Sequence, residues 1–160
     1  MAYIAVNETA EFVQLDVIDA SLGNSAANAF LVTADVMTIP ALQDITVNAT
    51  PGTFEWQQLD SLSSNVVTTP STNSLSLNVV LDPTTFFTGA GNTSGIFNIT
   101  NNKTKVYFRM YWQGTVTSDK YIEGEGYLSG LSPTVSATAP VWVSPLEILV
   151  SGDYTEGTVA

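Results

Sequence analysis

The sequence predicts an all-β fold, an antiparallel β-sandwich or barrel with at most one short α-helix, on three observations. Between Lys105 and Gln113, Val106, Phe108, Met110 and Trp112 alternate with Lys105, Tyr107, Arg109, Tyr111 and Gln113, the period of two that a strand with one buried face requires. Leu75, Leu77, Val79 and Leu81 alternate as cleanly with Ser74, Ser76 and Asn78. Charged residues make up only 12% of the chain, and β-branched and aromatic residues stand among Thr, Ser and Asn turn formers. That composition favours strands over helices built on i to i+4 charge pairs.

In chain order, the segments 12–18, 30–39, 45–49 and 53–59 are shorter or less regular strand candidates. The stretch 24–37 can be misread as a helix and is read here as strand. Residues 60–73 are Ser, Thr and Asn with Pro70 and the apolar pair Val66 and Val67, and they read as a long polar loop. Such loops are functional or flexible when they occur inside a compact domain. Asp82-Pro83 before 84–87 is the best helix start, with Asp as cap and Pro at the first helical position. The glycines at 89, 91 and 95 keep that helix short, and 89–95 fits no element. From Lys120 to Gly130, Tyr121, Glu123, Glu125 and Tyr127 face away from Ile122, Gly124, Gly126 and Leu128. The interior glycines predict a bulge or a close backbone approach. The last strand is 141–150, where Pro145 marks a break or an edge position. No repeat or linker divides residues 1–160, so one domain is expected, and a chain of this size can bury about 70% of its unfolded surface.

The residue inventory removes most side-chain chemistry. There is no His and no Cys, so nucleophile relays through His, the usual zinc ligand sets and disulfides are all excluded. Fifteen carboxylates against four basic residues give a net charge of -11, which opposes the phosphate neutralisation that binding nucleic acid needs. No run of about 18 apolar residues predicts a membrane span, and the segment after Met1 lacks a basic start and an apolar stretch. The chain reads as soluble and made in the cytosol, with no cofactor. Sequons at Asn7, Asn48, Asn92, Asn98 and Asn102 are what an Asn- and Thr-rich chain produces by chance.

The second half of the chain resembles the tail tube (major tail) proteins of long-tailed bacteriophages. The segments that carry the likeness are SLSLNVVLDPTTFF, TKVYFRMYWQGTV, KYIEGEGYLSGLSPTVSA and VWVSPLEILVSGDYT, preceded by ITVNATPGTFEWQQLDSLSSNVVTTPSTN. Their order is similar to the family's strand pair with a long polar loop, strand, short helix, strand ending in an aromatic and Gly, Gly-interrupted strand and terminal strand. The likeness spans about residues 40–155. It implies a structural virion protein without enzymatic activity, located in the virion tail and made in the host cytoplasm. Copies would form hexameric rings that stack into a tube, with DNA passing through without specific binding. Tail tip, tail terminator and tape measure proteins are then expected partners, with sheath protein as well in a contractile tail. The polar loop, with Asp60, Ser64, Val66, Val67, Thr69 and Pro70, would stack one ring on the next, Val66 and Val67 docking on the neighbour.

Several charged groups are candidates in their own right. Glu123 and Glu125, two apart on one strand face, read as an acidic stripe facing a lumen or an interface; a carboxylate-only glycoside hydrolase is the catalytic alternative. All four basic residues, Lys103, Lys105, Arg109 and Lys120, fall between positions 103 and 120. They read as a patch complementary to an acidic neighbouring subunit, and Tyr107, Tyr111 and Tyr127 suit the same interface. Asp16 with Asp19 and Asp153 with Glu156 are too sparse for a calcium loop. Trp56, Trp112 and Trp142 on an acidic polar surface support a second functional reading, a carbohydrate-binding, lectin-like sandwich.

Overall fold

The computed structural model describes residues 13–39, 42–60, 62–112, 114–138 and 140–160. Phe12, Gln113 and the Asn7 sequon lie outside them. Among the described residues eight strands run β1 (Gln14–Asp19), β2 (Met37–Thr38), β3 (Leu42–Gln57), β4 (Ser64–Val80), β5 (Lys105–Tyr111), β6 (Lys120–Ser129), β7 (Val143–Val150) and β8 (Thr155–Thr158). They form one antiparallel sheet in the order β2-β1-β5-β6-β7-β4-β3, with β8 also on β6. The sheet curls over its main apolar core, to which β1, β4, β5, β6 and β7 all contribute.

The alternation read in the sequence is what fills that core. Val106, Phe108 and Met110 of β5 meet Leu75, Leu77 and Val79 of β4 and Leu146 and Ile148 of β7, all buried. Each large side chain withdrawn from water in this way is worth roughly 1.5–3 kcal/mol. Trp112, expected on the same face, lies beyond the end of β5 and is exposed. The other face of β5 is covered as well. Tyr107 packs with Ile18, Ala29 and Phe30 beneath the short helix α1 (Ala26–Ala29). The stretch 24–37 is therefore not the expected strand but α1, a 3-10 turn at Thr33–Asp35 and the two-residue β2.

β6 turns the corner between the two layers. Its first half pairs with β8 and its second half with β7, while β5 lies along its other edge. Close approach, not a bulge, explains its glycines, since the β5–β6 register is unbroken. A Cβ on Gly124 would come within 2.9 Å of the Phe108 ring, and one on Gly126 would strike the Leu149 carbonyl. Pro145 sits on the half of β7 that β6 does not pair, an edge position where a missing N–H is tolerated.

Four further expectations are corrected. Residues 45–49 and 53–57 belong to one 16-residue strand that ends before 58–59, and most of 60–73 is no loop but the first half of β4. The ladder between β3 and β4 shifts register between Thr50 and Gly52, where Pro51 and Pro70 both lie. Their lost N–H groups thus fall at an irregularity in the ladder. A second helix, α2 (Ile96–Asn102), buries Ile96 and Ile99, and β8 follows the strand expected to be last. Asp82 does cap the turn at Thr84–Thr88, its carboxylate accepting from the Thr85 N–H at 3.0 Å. That backbone hydrogen bond holds its pKa below the ordinary value.

At the point where β7 stops covering β4, the C-terminal segment secures the β3–β4 pair. The Tyr154 hydroxyl lies 2.8 Å from the carbonyls of both Asn48 and Ser74, which are cross-strand partners, and the Asn73 amide donates to the Gly152 carbonyl at 2.8 Å. Burial raises the Tyr154 pKa above 10.0, against the opposing hydrogen bond to Ser74. The folded state therefore holds the phenolic proton more tightly than the unfolded chain. Its contribution is complete below pH 10.0 and is lost as pH rises through the raised value. Replacing Tyr154 by Phe should cost about 1 kcal/mol in urea unfolding and abolish the alkaline loss. An unchanged midpoint would show that this clamp does not hold the ladder.

Candidate assembly surfaces

The two charged sites expected from the sequence are one intramolecular ladder. Across the β5–β6 pair, Arg109 faces Glu123 directly, with Nη2 2.8 Å and Nε 3.1 Å from Oε2, and Lys105 Nζ reaches Glu125 Oε1 at 2.7 Å. Lys120 Nζ lies 2.9 Å from Glu156 Oε1. The Arg109 guanidinium is layered between the rings of Phe30 and Tyr121, at 4.5 and 4.2 Å. Burial opposes its charge, but hydrogen bonds with Glu123 and Tyr111 outweigh that and raise its pKa. Lys105 is raised chiefly by its hydrogen bond to Glu125. Lys103 stands apart: it ends α2 in a left-handed conformation and makes no ion pair among the described residues. Tyr107 and Tyr111 are buried within the chain, and Tyr127 is exposed.

The sparse acidic pairs have structural duties of their own. Asp16 is buried and accepts from Gln14 Nε2 at 2.8 Å and from Thr38 Oγ1 at 2.7 Å, while Asp19 caps the turn at Ser21. Asp153 lies beside the Asn73 amide.

Past the Asn48–Ser74 rung, β3 and β4 leave the sandwich as a two-stranded ribbon, exposed along most of its length. Residues directly opposite share a face, so Phe54 with Val67 and Trp56 with Asn65 form one side, and Glu55 with Val66 forms the other. The Val66 and Val67 pair singled out in the sequence is thus divided between faces. Val67 belongs with Phe54 and Trp56, whose rings stack at 6.0 Å, a larger apolar surface than the sequence reading found. Ser64 closes the last rung with Gln57, and Thr69 stands opposite Gly52, where any Cβ would strike it. Asp60 lies in the tip between Leu59 and Leu62, both fully exposed.

β3 also terminates the sheet, pairing with β4 alone among the described residues. A strand of this length with unpaired backbone groups is a template for another strand, and natural proteins guard such edges with charge, especially Lys. Residues 42–60 and 62–73 contain no Lys or Arg, and what β3 carries instead is Asp44, Glu55 and Pro51 at the register shift.

A second apolar surface lies at the other end of β4. Leu81, Asp82, Pro83, Phe86, Phe87, Pro133 and Trp142 line a cleft of about 300 Å³. Phe86 meets Phe87 edge-on at 4.6 Å and Phe97 at 5.7 Å, while Phe87, Phe97 and Trp142 are exposed. The three tryptophans are not brought together. Trp56 is on the ribbon, Trp142 on this cleft, and Trp112 on a groove with Lys120, Tyr121 and Tyr154.

An all-β protein with an unpaired edge strand among the described residues and apolar surfaces at both ends of one ladder is the class these features define. No family model matches the chain, and no curated protein does. Solved structures do match. The tail of an empty gene transfer agent particle, computed with helical refinement in C6 symmetry, superposes with a TM-score of 0.64 at 10% identity, over 94% of this chain and 99% of that one. The SPP1 tail tube gives 0.66 at 10% identity, over 93% and 78%. The virion of a native gene transfer agent particle gives 0.59 at 9% identity, over 94% and 99%. The fold is that of these tail proteins.

Loss of one partner in the charge ladder should depend on burial. Glu123→Gln leaves the half-buried Arg109 without its carboxylate and should cost about 2 kcal/mol in urea unfolding. Glu156→Gln, on an exposed pair, should cost at most about 0.5 kcal/mol. Equal losses would mean that the Arg109–Glu123 contact has no special weight.

Proposed function

We propose that this chain is a structural subunit of a phage-type tail tube, forming hexameric rings that stack around a channel for DNA. One observation carries the reading: nearly the whole chain takes the fold of a tail refined in C6 symmetry. The bare β3 edge supports it, because adding a neighbour's strand there satisfies the unpaired backbone, and repeating the step around a ring closes the sheet into a barrel. The ribbon, including Asp60, Ser64, Val66, Val67, Thr69 and Pro70, supplies contacts between rings, with Phe54, Trp56, Leu59 and Leu62 as further apolar surface.

Charge supports transit rather than binding. Arg109, Lys105 and Lys120 are each held by a carboxylate of their own chain, which leaves little positive charge to grip phosphate. At a net charge of -11, a channel lined by these subunits repels DNA and lets it slide. Glu123 and Glu125 contribute through their paired ladder rather than as bare acids. The subunit acts without catalysis in the virion tail, in contact with tip, terminator and tape measure proteins.

The reading is tested by concentrating purified monomer and imaging it by negative-stain electron microscopy, beside a variant whose residues 53–68 are replaced by a short turn. The wild-type chain should form hollow tubes, and the variant should fold and stay short of tubes. Tubes from the shortened variant would remove the ribbon from ring stacking. A wild-type chain that stays monomeric even with preformed tail tips would contradict the tube itself.

A further inference from the structure

Resting on the tube reading, we propose that the cleft of Phe86, Phe87, Pro133 and Trp142 is the receptor for the ribbon tip of a second copy, with Leu59 or Leu62 seated in it. The argument is one of position. The tip lies beyond the Gln57–Ser64 rung, at the start of β4. The cleft lies beyond the other end of β4, where Val80 pairs with Val143 and the Leu81 N–H donates to the Trp142 carbonyl at 2.8 Å. β4 has 17 residues, which at about 3.3 Å per residue separates the ends by roughly 50 Å of strand. No tip can reach the cleft of its own chain.

Two apolar surfaces at opposite ends of one ladder make a heterologous pair, and such a contact repeats head to tail without closing. That is the geometry a stack of rings requires. The chemistry of the two surfaces agrees. Leu59 and Leu62 project fully into solvent, and the cleft walls are aromatic or proline apart from Leu81 and Asp82. Asp82 is the charged group of the wall, and its carboxylate accepts the Thr85 N–H. A volume of about 300 Å³ suits one or two such side chains. Exposed Phe87 and Trp142 have the character of anchor residues at interfaces, where large aromatics dominate.

The absence of Cys makes a direct test possible. Leu62→Cys and Phe87→Cys are placed in one chain, assembled, treated with a short thiol-reactive cross-linker and run on denaturing gels. Head-to-tail seating should give a ladder of covalent species beyond the dimer, whereas each single variant should give dimers at most. Trp142→Ser should raise the concentration at which tubes begin by about tenfold without changing the unfolding midpoint of the monomer by more than a surface change does. Tubes that form but yield no ladder, or an onset unmoved by Trp142→Ser, would overturn this receptor while leaving the tube standing. A wild-type chain that forms no tubes would overturn both.

Discussion

The β3–β4 ladder is the constraint on which the rest of the structure depends. Along residues 74–80, β4 is flanked by β3 and β7 and its inward side chains are buried; along 64–72 the ladder has two strands and is exposed among the described residues. A two-stranded ribbon is marginal in water on its own. Here it is rooted by Tyr154 and Asn73 at the last rung that the sandwich supports. The C-terminal segment thus sets where the core ends and the exposed ribbon begins.

Electrostatics follow from that division. Three of the four cations are consumed in pairs within the chain, and the remaining charge is strongly negative. Copies of this protein therefore repel at long range, and in the proposed tube backbone pairing along β3 and apolar contact at the ends of the ladder are what would offset that repulsion. Salt should help such an assembly by screening the repulsion. Arg109, fixed between two rings and a carboxylate, stabilises the β5–β6 corner of the fold rather than offering a charge to a neighbour.

Strands with one buried face were legible in the sequence, because burial writes a period of two into β4, β5 and β6. The Asp82-Pro83 helix start and the edge position of Pro145 were legible for similarly local reasons. The ribbon was not, because it buries nothing: without a core face, Asn65 to Thr72 shows no alternation and its composition reads as loop. Its Thr and Val residues, favourable in strands, were the available signal. α2 was missed although Ile96 and Ile99 stand at helical spacing, because these are the only buried residues of its seven, too few to show a helical period. Ser25 before Ala26–Ala29 similarly marked α1 through its side-chain cap. Among the candidate sites, Glu123, Glu125, Lys105, Arg109 and Lys120 were read as facing a lumen or a neighbour, and each has an ion-pair partner within the chain. Pairing β5 with β6 as a hairpin would have set Arg109 against Glu123 and placed Lys105 near Glu125.

Backbone hydrogen exchange in free monomer and in assembled material tests the central claim most directly, that the ribbon and the β3 edge are completed by another copy. Amides in 49–57 and 64–73 should exchange quickly in the monomer and become strongly protected on assembly, while those of β5 and β7 change little. Assembled material whose ribbon exchanges as fast as in the monomer would contradict it.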